Sequence, residues 1–169
     1  MADDRQDHPI IAQIPHLRRY ARALLGDAVL AEDLVQDCLE RAWSRFHLWR
    51  EGSNLRTWLF TIMHNLHANA ARNAARRPQT VSIDAYGLSA PTRAAQEDGL
   101  TLASIDAALA ALPEEQRQVV LLIGLEEMSY RDAASVLGVP VGTVMSRLHR
   151  GRERLRHALA GGATLRRVK

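Results

Sequence analysis

The chain has 169 residues, room for one medium domain or two small ones, and 47% of them are hydrophobic, enough to build real cores. Aromatic residues make up only 5%, and β-branched runs with two-residue alternation are nearly absent, so the pattern predicts an all-α protein and argues against sheet architectures. A net charge of +3 hides a strong segregation: residues 1–40 carry eight acids against four arginines, whereas residues 140–169 carry eight basic groups against Glu153 alone. An acidic front and a basic back suggest two different kinds of partner.

Cys38 is the one cysteine, which excludes an intramolecular disulfide and a cysteine-rich metal site. The polar, acidic start and the lack of any eighteen-residue apolar run predict a cytoplasmic chain without direct membrane insertion.

Residues 10–25 place Ile11, Ile14, Leu17, Tyr20, Ala21, Leu24 and Leu25 at helical spacing, with Pro15 marking a start or kink and Gly26 a stop. Asp27 is the expected cap of a second helix over 28–46. There Leu30, Leu34, Cys38, Ala42 and Phe46 form a four-residue ridge, flanked by Val35, Leu39 and Trp43, which is the expected buried face. The other side shows Glu32, Asp33, Gln36, Asp37, Glu40 and Arg41. Such a face is either solvated, with its early acids favoured by the helix dipole, or a docking surface.

Gly52, Ser53 and Asn54 supply turn and cap chemistry before a third helix over 55–76. Its expected core side is Trp58, Leu59, Ile62, Met63 and Leu66. Its outer side interleaves Arg56, Thr57, His64, Asn65, His67, Asn69, Arg72, Asn73, Arg76 and Arg77, amides and guanidinium groups suited to base edges and phosphates. His64 and His67 lie one turn apart, but no cysteine or acid follows within a turn to complete a metal site, and none is expected.

Residues 78–101 lose all periodicity and read as a flexible linker, dividing the chain into a domain at 1–77 and a second at 102–169. Leu102, Ile105, Leu109 and Leu112 predict a short helix closed by Pro113, and residues 114–125 a buried one begun by Glu114 and Glu115. The stretch SYRDAASVLGVPVGTVMSRLHRGRERLR, from Ser129, reads as a helix-turn-helix. Ser129 caps the first helix, Gly138 ends it in a left-handed turn, and Pro140 opens the second. In that second helix Val144, Leu148, Leu155 and Leu159 face the core while the arginines face outward, as major-groove reading and phosphate neutralisation need. No glycine-rich phosphate loop, Ser/His/Asp order or isolated pair of carboxylates is present, so neither an enzyme nor a cofactor is expected.

Taken together, AEDLVQDCLERAW, NLRTWLFTIMHN, ALPEEQRQVVLL and the helix-turn-helix resemble the extracytoplasmic-function (ECF) sigma factors of bacterial RNA polymerase over about residues 14–159. The resemblance implies two small helical domains, the first for core polymerase and the minus-ten element, the second for the minus-thirty-five element. It puts Asp33, Gln36, Asp37, Glu40 and Arg41 on the polymerase, whose beta-prime clamp and beta flap are the implied partners. It puts Gly52, Ser53, Asn54 and Arg56 in the loop that captures a flipped minus-ten base, and His64, Asn65, Asn69 and Arg72 on the adjoining DNA-facing helix. Base capture from an unstacked strand joins recognition to melting. Thr143, Met145, Ser146, Arg147, His149 and Arg150 fall on the minus-thirty-five reading surface.

Met145, Asn69 and His149 depart from residues common in the family and bear on which promoter is read. The family further implies a cognate anti-sigma factor. Two other readings use the same parts: a sigma-like decoy that binds an anti-sigma factor, which has no need of the basic helix, and a stand-alone regulator, which has no need of the acids around Asp33.

Overall fold

The computed structural model describes residues 8–76 and 102–164, and among them all regular structure is helical. The expected linker at 78–101, together with Arg77, Arg166, Arg167 and Lys169, lies outside the described residues. Seven α-helices are present there: α1 (Ile14–Leu25), α2 (Ala28–Ser44), α3 (Leu55–Arg76), α4 (Leu102–Ala110), α5 (Glu114–Val120), α6 (Tyr130–Leu137) and α7 (Val141–Thr164).

The helix ends follow from local chemistry. Pro15 sits in the first turn of α1, where its missing N–H is no loss, and Gly26 ends the helix at φ 69° with its N–H on the Arg22 carbonyl. The Asp27 carboxylate accepts from the amides of Val29 and Leu30 at 2.8 and 2.9 Å and so begins α2. Asn54 does the same for α3, accepting from Thr57 N–H at 3.2 Å. Ser129 Oγ accepts from the Asp132 amide at 3.0 Å and donates to the Asp132 carboxylate at 2.6 Å, and Gly138 closes α6 at φ 63°. The Pro140 carbonyl then takes the first amides of α7, from Thr143 and Val144.

Helices α1, α2 and α3 form one unit. α1 buries Leu17, Tyr20, Ala21 and Leu24; α2 buries Ala31, Val35, Cys38 and Ala42. The expected ridge through Leu30 is corrected: Leu30 is 57% exposed and Trp43 is exposed as well. Four residues advance a helix by about 400°, so a strict four-residue ridge drifts about 40° per step and leaves the core face. The alternation of four and three through Ala31, Val35, Cys38 and Ala42 stays on it. α3 buries Leu59, Phe60, Ile62 and Met63, with Phe60 edge-on to Tyr20 at 5.2 Å between ring centroids. Trp58 and Leu66 are only partly buried. Cys38 is a small core residue: its thiol donates to the Leu59 carbonyl, and burial pushes its pKa up to about 12.

Helices α4 to α7 form the second unit. In α4 the expected face holds only at its end: Leu102 and Ile105 are exposed, Leu109 is partly buried and the following Leu112 is buried, and Ala108 goes inside as well. The single helix expected over 114–125 is two pieces. After α5 the chain widens into a π-helical turn, Leu121–Leu125, with Glu126 N–H on the Leu121 carbonyl at 3.0 Å. Glu127 follows at φ 53°, a left-handed conformation that costs a non-glycine residue about 1–2 kcal/mol. α6 and α7 pack through Ala133, Ala134, Val136, Leu137, Val144 and Leu148.

The two units do not stand apart. Most of their buried residues belong to one hydrophobic cluster, α6 lies along α3, and the π-helical turn lies on α1.

Candidate nucleic-acid and polymerase interfaces

Three surfaces carry the residues singled out from the sequence. On α2, Asp33, Gln36, Asp37, Glu40 and Arg41 are all exposed, and Gln36 donates to Glu40 at 3.0 Å. Glu32 stands apart from this set, because Arg18 and Arg22 of α1 bind it at 3.0 and 2.9 Å. The exposed acids continue into a shallow groove between α2 and α3 lined by Asp37, Glu40, Arg41, Ser44 and Leu66.

The second surface starts in the loop before α3. Gly52 is exposed at φ 88°, a conformation that suits glycine, and Ser53 Oγ donates to the Arg50 carbonyl at 2.7 Å. Asn54 is committed to capping. Further along α3, Asn65, Asn69 and Arg72 are exposed, and Arg72 donates to the Asn69 amide oxygen at 2.6 Å. His64 differs from these: it is half-buried, its Nδ1 has no partner, and desolvation lowers its pKa, helped by nearby His67 and opposed by Glu114. His67 lies 2.9 Å from Glu114, an acid from a distant part of the chain. Among the described residues no group of three or more His, Cys, Asp and Glu side chains could hold a metal.

The third surface is the outer side of α7. Met145, Ser146, His149 and Arg150 are exposed and Thr143 is partly so. Ser146 Oγ turns back to the Thr143 carbonyl, and Arg150 leans onto the Ser146 carbonyl and hydroxyl at 3.3 and 3.4 Å. Arg147 is held more tightly. Its guanidinium meets Glu115 at 2.9 Å and its side chain is only 19% exposed.

Arg56 sits apart from its expected companions. It points into the seam between the two units, where it binds the carboxylate of Glu126. Glu126 also accepts from Arg19 Nε at 2.9 Å and lies 3.1 Å from His16 Nδ1, while Arg19 donates a further bond to the Leu125 carbonyl. The Glu126 side chain is fully buried. A carboxylate withdrawn from water needs such partners, and removing one partner of a buried pair costs about 3–5 kcal/mol. The hydrogen bond to Glu126 in turn raises the Arg19 pKa. Thr57 Oγ1, beside Arg56, donates to Asp132 of α6 at 3.2 Å. Sequence reading missed His16, Arg19 and Glu126; no local signal marks Glu126, because the π-helical turn before it breaks the three- and four-residue spacing by which an inward face is read.

With this geometry in place, comparison with known proteins is specific. Residues 10–64 match the family described as the Sigma2 domain of PhyR, and residues 102–155 match Sigma-70, region 4. The order of a three-helix unit and an arginine-bearing helix-turn-helix thus defines the sigma-factor class. The chain is 40% identical over 147 residues to the ECF RNA polymerase sigma factor EcfG of Rhodopseudomonas palustris, covering 86% of this chain and 80% of that protein. The sigma factor RpoE of Bartonella quintana, solved with the anti-sigma factor NepR, superposes with a TM-score of 0.76 at 38% identity, over 89% of this chain and 94% of that one. CnrH, solved with the cytosolic domain of CnrY, gives a TM-score of 0.66 at 25% identity, over 90% of this chain and 85% of that one. The chain belongs to the ECF sigma factor family. Among the described residues no helix is long and apolar enough to cross a membrane.

Proposed function

We propose that this chain binds core RNA polymerase, directs it to promoters with minus-ten and minus-thirty-five elements, and promotes melting at the first of these, acting as an interaction protein with no chemistry of its own. The observation that carries the reading is the pairing, in one ECF sigma chain, of an exposed acidic face on α2 with an exposed polar and basic face on α7. The acidic face, Asp33, Gln36, Asp37, Glu40 and Arg41, takes the polymerase clamp, and the α4–α7 unit takes the flap. Thr143, Met145, Ser146, Arg147, His149 and Arg150 take the minus-thirty-five element, where exposed Met145 suits a thymine methyl. The loop Gly52 to Asn54, with Arg56 and the outer residues of α3, takes the minus-ten strand. Unstacking a base costs a few kcal/mol, within reach of a pocket plus phosphate contacts and without fuel. Residues 1–77 and 102–169 are assigned as the two functional domains. An anti-sigma factor is the proposed regulator, by analogy with RpoE, which was solved in complex with the anti-sigma factor NepR.

A decoy reading draws support from the match of residues 10–64 to the PhyR domain, since PhyR is described as an anti-anti-sigma factor. The retained arginines of α7 and the EcfG relationship favour the sigma reading. Run-off transcription with purified core polymerase on a promoter-fragment library tests it. New start sites sharing two spaced elements are expected. Core binding without transcripts supports the decoy, and no core binding leaves a lone DNA-binding regulator.

A further inference from the structure

We infer that His16, Arg19 and Arg56 form a binding site for a nucleic-acid backbone phosphate, and that Glu126 of the second unit fills this site as an internal competitor when the two units are packed together. The inference rests on the reading of the α1–α3 unit as the minus-ten DNA binder and adds two residues of α1 to it.

The three basic groups come from two helices of the first unit and converge on one carboxylate of the second. The acceptor is wholly buried, yet its donors reach the rim of the seam: the side chains of Arg19, His16 and Arg56 keep 49%, 37% and 28% of their exposure. When the units part, two guanidinium groups and an imidazole are left facing solvent beside the loop that carries Gly52, Ser53 and Asn54. A phosphate oxyanion offers the same acceptors as the carboxylate it replaces, and guanidinium forks suit phosphate as they suit carboxylate. The chain commits backbone to delivering Glu126. The π-helical turn carries the side chain toward α1, and Glu127 holds a positive φ directly after it. Asp132 on Thr57 lays a second acid of the same unit against the start of α3. Two oxyanions of the second unit therefore cover the DNA-facing end of α3.

Occupation by Glu126 and by phosphate is mutually exclusive, so DNA affinity is lowered by the fraction of chains that are closed. The probe is a mixed-sequence single-stranded DNA oligonucleotide, with fluorescence anisotropy on the full chain. Glu126→Gln is expected to tighten binding about fivefold or more, and adding Arg19→Ala is expected to cancel the gain. A gain that survives Arg19→Ala overturns the phosphate site. Because Glu126→Gln also disturbs a buried cluster, a tether provides an independent test: Thr57→Cys with Asp132→Cys, oxidised, locks the units together while buried Cys38 stays unreactive. The locked chain is expected to bind about fivefold or more weakly than the same chain after reduction. Equal binding by locked and reduced chains, or an unchanged affinity for Glu126→Gln, overturns the competition. Run-off transcription separates this from the functional reading. Transcripts with an affinity indifferent to both changes overturn the inference alone; no transcripts with a tether-sensitive affinity overturn the sigma reading and keep the phosphate site.

Discussion

Arg147 of α7 is anchored to Glu115 of α5, Nη2 to Oε2 at 2.9 Å, whereas Arg150, one turn further along the same helix, is tied to the backbone and hydroxyl of Ser146 within its own helix. The first guanidinium is held in place by its partner and the second is adjustable. Replacing Arg150 by Ala is expected to cost about 1–3 kcal/mol of discrimination between promoter sequences if it reads a base bidentately. Equal weakening on every sequence makes it a phosphate contact. Arg147→Ala should carry the same penalty plus a small loss of folding stability, under about 1 kcal/mol because Glu115 is well exposed. Competition binding to a promoter library and urea denaturation measure the two parts.

Asp33 and Asp37 are exposed on α2 and lie off the buried face of Ala31, Val35, Cys38 and Ala42. Reversing both to Lys is expected to abolish core polymerase binding in a pull-down while leaving the helical circular dichroism intact. Retained core affinity would remove these residues from the polymerase interface.

Gly151 of α7 packs against α5 so closely that an added Cβ meets Val120 Cγ2 at 2.8 Å. Val120 is β-branched and cannot easily swing away. Overpacking of this kind costs about 1–3 kcal/mol and outweighs the gain of about 1 kcal/mol from alanine's helix propensity. Gly151→Ala should therefore destabilise the fold by about 1 kcal/mol. Gly142→Ala, which meets nothing within 4 Å, should stabilise it by about 0.5 kcal/mol. Urea midpoints of the two variants should move in opposite directions.

His64 supplies a pH dependence. Desolvation holds its folded pKa below the ordinary 6.5, so just below that pH the unfolded chain binds more protons than the folded one. The contribution is fully present above pH 6.5 and is lost as the pH falls through the lowered pKa of the folded chain. Stability should fall as the pH drops below about 6.5, and His64→Gln should flatten part of that slope. Identical slopes for both proteins would show that His64 titrates freely.

Much of the fold is legible in the chain because its signals are local. Asp27, Ser129, Gly26, Gly138 and Pro140 each act within four residues, and each forms the cap or turn that its side chain and spacing imply. The buried faces were legible only in part. Leu30, Trp43, Leu102 and Ile105 are apolar and at helical spacing, yet they stay exposed, while Ala31, Ala108 and Phe60 go inside. Hydrophobicity gives a side chain its tendency to be buried, but a neighbouring element must exist on that side.

The residues of the proposed reading surface on α7 were readable as a set because one helix presents them together. Arg56 was not, since its position in the loop-proximal turn of α3 says nothing of a partner 70 residues away. The sequence by itself determined the all-helical character, the caps, the helix-turn-helix and the segregation of acid from base, because propensity, periodicity and charge are properties of neighbouring residues. Only the tertiary structure decided that Glu126 lies buried among His16, Arg19 and Arg56. That arrangement depends on two units packing across separations of 70 to 110 residues, where the desolvation of one carboxylate is offset by charges from the other end of the chain.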